Sequence, residues 1–197
     1  MYTYEAKKFN LPSMEGISDE SVKQHIGLYE GYVKNFNAIS AKLVEYAGDT
    51  EKNAHALSEL IRRKSFEFDG MRLHEHYFEQ FEGGSAELTT GSPLAQIFEK
   101  EYHGHFIEYF KAIGSMRGPG WAILYYDTVG KQFQAGFAGE QHQGHFVTLP
   151  IILALDVWEH AFILDYGAGG KGKYIDAFFK NLNWDVMEKR FVKASVQ

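Results

Sequence analysis

The stretch Leu155-Asp156-Val157-Trp158-Glu159-His160-Ala161 decides how this chain is read. It closes an apolar run, Leu149-Pro-Ile-Ile-Leu-Ala-Leu155, which is far too short to span a bilayer. Ile151 to Leu155 reads as a strand, wholly apolar and so expected at the centre of a sheet. A carboxylate at the end of such a strand caps, pairs or binds something. Glu159 and His160 follow at once. Asp156 and His160 stand four apart, so one helical turn would aim both at the same point. The plainer account makes Asp156 a helix N-cap and bonds His160 to the chain. The other account has the two converging on a ligand.

Upstream of this stretch the pattern is mixed. Gly118-Pro119-Gly120 precedes a strand over Trp121–Tyr126, a turn around Gly130 and a second strand near Phe133–Phe137. Ser92 and Pro93 start a helix as N-cap and first residue. Leu94, Phe98, Tyr102, Phe106 and Phe110 give it one buried face as far as Gly114. Glu82 to Ser92, rich in Gly, Ser and Thr, reads as a linker. The front of the chain is helical. Ser18 caps a helix whose stripe holds His25, Tyr29, Tyr32, Phe36, Ile39 and Leu43, ending at Gly48-Asp49. A shorter helix over Glu51–Arg63 follows, then a third stripe with Gly70, His74, Tyr77 and Phe81. Tyr174–Phe178 and Trp184–Phe191 are helical again. The outline is an all-helical front half and an α+β back half with a small sheet.

Composition narrows the chemistry. The 197 residues carry a net charge of −6 and no cysteine. Disulfides, thiolate clusters and thiol catalysis are excluded, so any metal is held by nitrogen and oxygen. The acidic balance argues against a nucleic-acid partner. No apolar leader or membrane segment is present, and the expected location is the cytoplasm.

His25 and His74 each lie on the apolar stripe of a helix rather than on its wet face. A lone buried histidine is usually a satisfied core residue. Two on adjacent helices, each followed by a tyrosine on the same face, suggest a polar site inside a helix pair, typically a metal centre. Three imidazoles and one carboxylate suit iron or manganese.

With these residues assembled, the chain resembles the iron/manganese superoxide dismutase family. Asp156-Val-Trp-Glu-His160-Ala is similar to its Asp-x-Trp-Glu-His-Ala signature without a gap. Asp165-Tyr166, Tyr174 and Asn183-Trp184 extend the likeness. So do Gly118-x-Gly-Trp121-Ala, Tyr32-Val-Lys-Asn35-Phe-Asn37 and His74-x-x-Tyr77-Phe78. The resemblance implies an α+β fold with an antiparallel helical hairpin over 1–85 and a domain over 92–197. The latter would hold a three-stranded antiparallel sheet flanked by helices, with the metal between the two domains. It implies one iron or manganese ion per chain, held by His25, His74, Asp156 and His160. Tyr32 would stand at the mouth of the substrate channel, Trp121 and Trp158 would be apolar walls, and Glu159 would reach His160 of a second subunit in a homodimer or homotetramer. Superoxide would be the substrate.

The sequence also departs from the family pattern. His25 and Tyr32 are seven apart where the family has eight, read here as a one-residue deletion. Leu28 and Tyr29 stand where the family has a pair of histidines. The channel arginine is absent, with Lys171 or Lys173 nearest; Lys34 is a further candidate for drawing in the anion. Gly70 offers no side chain to the solvent on the metal, so that role is expected of Glu140-Gln-His-Gln-Gly144. His142 is favoured, with Gln141 or Gln143 behind it, while His145 reads as a plain loop residue. Two other functions remain open: a metal-binding relative with weak or no turnover and an assembly role, and a helical di-metal oxidase, for which no Glu-x-x-His pairs are evident.

Overall fold

Ser18 starts the first helix as the sequence indicates. In the computed structural model, which describes residues 2–196, the Ser18 hydroxyl accepts from the Ser21 amide at 3.1 Å. Asp19 and Glu20 sit in the first turn, at the positive end of the helix dipole. Helix α1 runs from Asp19 to Tyr46 and buries His25, Tyr29, Val33 and Phe36 along one stripe.

The expected second and third helices are one. Helix α2 spans Ala54–Glu79 without a break. The intervening Lys64–Asp69 contains neither Gly nor Pro, so nothing stops the ladder of hydrogen bonds. Gly70 lies in mid-helix, where it would ordinarily weaken the element. A Cβ placed there would lie 2.6 Å from Cδ1 of Tyr32, so the tyrosine ring already fills that space. The α1–α2 hairpin is thereby closed around the face that carries the histidines.

The helix expected from Ser92 to Gly114 is instead two, α3 (Pro93–Tyr102) and α4 (Phe106–Gly114). His103 ends α3 in the left-handed region at φ 52°, and Gly104 follows at φ 81°. Gly104 marks this break in the sequence, but the apolar stripe from Leu94 to Phe110 runs across it and hides the signal.

The sheet has three antiparallel strands, β1 (Trp121–Asp127), β2 (Gln132–Ala138) and β3 (Ile151–Asp156), in the order β2-β1-β3. The apolar β3 is therefore an edge strand, not the central one. It is buried because α2 and α7 (Trp184–Ser195) pack against it. Its free backbone groups are satisfied by side chains. Gln80 donates to Ala154 O at 2.8 Å and accepts from Ala154 N at 2.7 Å, and Arg190 donates to Ile152 O at 3.2 Å. An unpaired buried edge would otherwise be costly.

Register sets the site. Trp121 pairs with both Ala138 and Asp156. The start of β1, the end of β2 and the end of β3 thus meet at one end of the sheet, under His25 and His74. After β3 the chain runs extended to Trp158, makes a 3₁₀ turn over Glu159–Ala161 and one helical turn over Ile163–Tyr166 (α5). Asp156 and His160 converge through this bend, not through one turn of α-helix. Helix α6 (Lys171–Asn181) precedes α7. Among the described residues, no helix is long and apolar enough to cross a membrane.

Candidate metal centre

Four elements each bring one candidate ligand to a point. His25 comes from α1, His74 from α2, Asp156 from the end of β3 and His160 from the 3₁₀ turn. One ligand atom from each lies within 4.8 Å of all the others. Asp156 Oδ2 is the hub: it stands 3.2 Å from His25 Nε2, 3.0 Å from His160 Nε2 and 3.7 Å from His74 Nε2. Asp156 Oδ1 is occupied, accepting from the Trp158 amide at 2.8 Å. That bond fixes the carboxylate and leaves Oδ2 turned to the three rings.

His74 is the most informative of the four. Its Nδ1 donates to the Gly70 carbonyl at 2.6 Å. A carbonyl only accepts, so the proton is on Nδ1 and Nε2 carries a bare lone pair. Nε2 is buried and has no hydrogen-bond partner among the described residues. A buried acceptor left unpaired, facing a carboxylate oxygen, is what a cation between them would relieve.

The charges agree. Burial pushes His74 down to about 3, with the neighbouring His25 adding to the effect. His25 is also lowered by burial, against the pull of Asp156. Burial acts downward on His160 too, but there Asp156 prevails and holds the imidazole above its ordinary value. Burial would raise the Asp156 carboxyl; the facing His160 and His25 outweigh it and hold it well below the usual carboxylate range. Metal ligation requires each ring to give up any proton on the ligating nitrogen, and the cluster would then be a buried anion among nitrogen donors. No sulfur is available to it, and this donor set suits iron or manganese.

Aromatic rings wall the cluster. Trp121 stands edge-on to His74 at 5.2 Å between centroids, Tyr77 and Phe78 flank His25 at 4.9 and 5.0 Å, and Trp158 stacks on His160 at 6.2 Å. Beside them lies Gln141, fully buried. Trp121 Nε1 donates to Gln141 Oε1 at 2.8 Å, and Gln141 Nε2 donates to the Tyr32 hydroxyl at 3.1 Å. The indole can only donate, so the amide orientation is fixed with its NH₂ toward Tyr32. Burial and the Asp156 charge raise the Tyr32 phenol, which keeps it neutral.

The His142 ring packs edge-on against Phe66 at 5.6 Å, with Nδ1 buried and without a hydrogen-bond partner among the described residues, while Gln141 lies between Trp121 and Tyr32. Glu140 and Gln143 form an antiparallel bridge that brackets Gln141 and His142. Lys171 is likewise engaged, donating to Met116 O and Gly118 O at 2.7 and 3.0 Å. Tyr174 is buried and its hydroxyl meets that of Tyr77 at 3.0 Å. Lys34, Lys173 and Glu159 are exposed. Arg63 passes unremarked in the sequence. Its guanidinium lies 3.9 Å over the Phe66 ring, which is 5.9 Å from that of Tyr32, and its Nε donates to the buried Glu67 at 2.7 Å.

Residues 90–190 match the family model of iron/manganese superoxide dismutases, C-terminal domain. The chain belongs to the iron/manganese superoxide dismutase family. It is 32% identical over 203 residues to an iron superoxide dismutase of Saccharolobus solfataricus, an alignment covering 95% of each chain. It is 33% identical to an iron superoxide dismutase of Aquifex pyrophilus, covering 92% of this chain and 87% of that one. A manganese superoxide dismutase of Haloarcula marismortui is 34% identical over 84% of this chain and 80% of its own. The family's dependence on one iron or manganese ion agrees with the donor set.

Proposed function

We propose that this chain is a superoxide dismutase that holds a single iron or manganese ion on His25, His74, Asp156 and His160. The bare, buried Nε2 of His74, aimed at Asp156 Oδ2, is the observation that carries this reading. The ion, when bound, supplies one-electron chemistry: one superoxide is oxidised to O₂, a second is reduced, and two protons complete H₂O₂. The side chains do the rest. Asp156 and the three neutral imidazoles offset only one charge of the ion, so the centre stays positive and attracts an anion. The aromatic wall excludes bulk water, which strengthens that attraction. Tyr32, neutral and bonded by Gln141, is a proton-bearing group beside the cluster, its ring 5.0 Å from that of His74, and the Gln141 amide is a donor next to it. Gln141 takes the role first expected of His142.

The unit is a homodimer or homotetramer acting in the cytoplasm, without nucleic-acid or membrane partners. Glu159 is exposed on one chain and adjoins His160, whose side chain is 22% exposed. A carboxylate from a second copy meeting that imidazole would fix the ligand's orientation.

The test is elemental analysis with a dismutation assay on protein loaded separately with each metal. One iron or manganese per chain with turnover is the expected result. One metal without turnover would favour the assembly reading, and two per chain the di-metal one. Undiminished metal content in His25→Ala would overturn the ligand set.

A further inference from the structure

We propose that His145 and Tyr125 form a clamp that positions Gln141 from behind, so that a loop histidine outside the cluster sets the geometry of the donor beside it. The inference rests on the reading of the site given above. Gln141 sits in a loop between β2 and β3 that lacks regular structure, yet its side chain must stay fixed between Trp121 and Tyr32. Its main-chain carbonyl accepts from His145 Nε2 at 2.8 Å. A carbonyl only accepts, so His145 carries a proton on Nε2, and in the neutral ring Nδ1 is then the acceptor. Tyr125 supplies the matching donor, its hydroxyl 2.7 Å from Nδ1. With a neutral imidazole the bonds run from Tyr125 to His145, from His145 to Gln141, and from Gln141 to Tyr32.

The anchor is the central strand. Tyr125 and Trp121 are four apart on β1, hence on the same face, and both are buried. The strand therefore grips Gln141 twice, at its amide oxygen through Trp121 and at its backbone through Tyr125 and His145. The loop is shaped to allow the second grip. Gly144 takes φ +94°, and a Cβ there would approach the Phe137 carbonyl at 3.0 Å, so the chain doubles back tightly just before His145. The Phe146 ring packs edge-on against Tyr125 at 5.4 Å and lies over Gly136, covering the clamp. His145 is a positioning residue: it touches neither the ligands nor the channel tyrosine, and acts through Gln141.

The amide nitrogen of a glutamine reaches the place of an imidazole Nε2, whereas that of an asparagine reaches only the place of Nδ1. His145→Gln should therefore keep the bond to Gln141, and His145→Asn should lose it. Both variants and the wild type are compared at equal metal content for dismutation rate and for the reduction potential of the bound metal. The expected result is a loss of about tenfold or more in rate for His145→Asn. Its potential should shift by about 59 mV for each tenfold change in the balance of the two oxidation states. His145→Gln should keep both values within about twofold of wild type or its equivalent in potential. Tyr125→Phe should shift the potential in the same direction as His145→Asn, and it reports on the clamp should that variant not fold. Wild-type potentials in His145→Asn and Tyr125→Phe would overturn the proposal, as would equal losses in the Asn and Gln variants. A metal-loaded wild type without turnover would instead count against the function, while the potentials still test the clamp.

Discussion

Adding one methyl group at Gly70 isolates the packing on which the site depends. In most helix interiors Gly→Ala stabilises, by about 0.8–1.0 kcal/mol. Here the new Cβ would lie 2.6 and 2.7 Å from two carbons of the Tyr32 ring, well inside contact distance. The ring cannot retreat freely. Gln141 holds its hydroxyl at 3.1 Å, and its face lies 5.0 Å from the His74 ring and 5.9 Å from Phe66. Overpacking of this kind costs roughly 1–3 kcal/mol, and losing the Tyr32–Gln141 bond adds about 0.5–1.5 kcal/mol. The unfavourable terms exceed the helix gain, so Gly70→Ala should destabilise by about 1–3 kcal/mol, lowering Tm by ~2–12 °C for a chain of this size. Turnover should fall by about 10–100-fold while metal content holds, because the methyl displaces Tyr32 and not a ligand. Thermal unfolding and a dismutation assay at matched metal content measure both. A variant as stable as wild type with full turnover would show that Tyr32 is not seated on Gly70.

Other perturbations separate neighbouring contributions. Tyr32→Phe keeps the ring on Gly70 and removes only the acceptor of the Gln141 bond. It should retain metal and lose no more than about 1.5 kcal/mol in thermal unfolding, yet turn over more slowly; an unchanged rate would remove Tyr32 from the chemistry. Gln80→Leu strips the β3 edge of its partners at Ala154 N and O. It should cost roughly 2–5 kcal/mol in denaturant unfolding, since two buried backbone groups are orphaned. His76 lies outside the cluster and burial, aided by Arg190, pushes it down to about 3. Its folded value is below its unfolded one, so its contribution is present above about pH 6.5 and is lost as pH falls toward 3, at ~1.4 kcal/mol per pH unit. His76→Gln should flatten that acid limb, and an identical pH profile would locate the loss elsewhere.

What the sequence reveals and what it conceals divide along physical lines. Local signals are legible. Ser18 as a cap, Pro93 at a first turn and the apolar strand ending in Asp156 all depend on neighbours in sequence, and all appear where the pattern puts them. Tertiary compensation is not legible. The unbroken α2 needs Tyr32 to fill the space above Gly70, and no feature of Lys64–Asp69 announces whether a helix continues or restarts. β3 is apolar enough for a central strand, and only Gln80 and Arg190, far off in sequence, make an edge habitable there. The break at His103-Gly104 carries a glycine, but the apolar stripe continues across it, so the periodicity alone reads as one helix. The four candidate ligands come from motif and stripe together, so the structure brings them together as a set. Which of Gln141 and His142 points inward depends on the direction of a short loop, and the partners of the Gln141 side chain there, Trp121 and Tyr32, lie far off in sequence.

The seven-residue spacing of His25 and Tyr32 ties these threads to one packing solution. At 100° per residue, seven residues turn a helix by about 700°, some 20° short of two full turns, while eight would carry it about 80° past. Helix α1 is regular from Asp19 to Tyr46, so no bulge absorbs the difference. Tyr32 is therefore carried into the row of His25, the row that faces α2. A tyrosine ring in that row needs an opening in the opposing helix, and α2 provides one at Gly70, a single turn before His74. The same glycine lends its carbonyl to His74 Nδ1, which fixes the tautomer and leaves Nε2 bare. Gly70 thus acts twice, by the side chain it lacks and by the carbonyl it shares with every residue. Any residue there could supply the carbonyl. Only glycine does so while leaving room for Tyr32, so the short spacing in α1 and the glycine in α2 constrain one another.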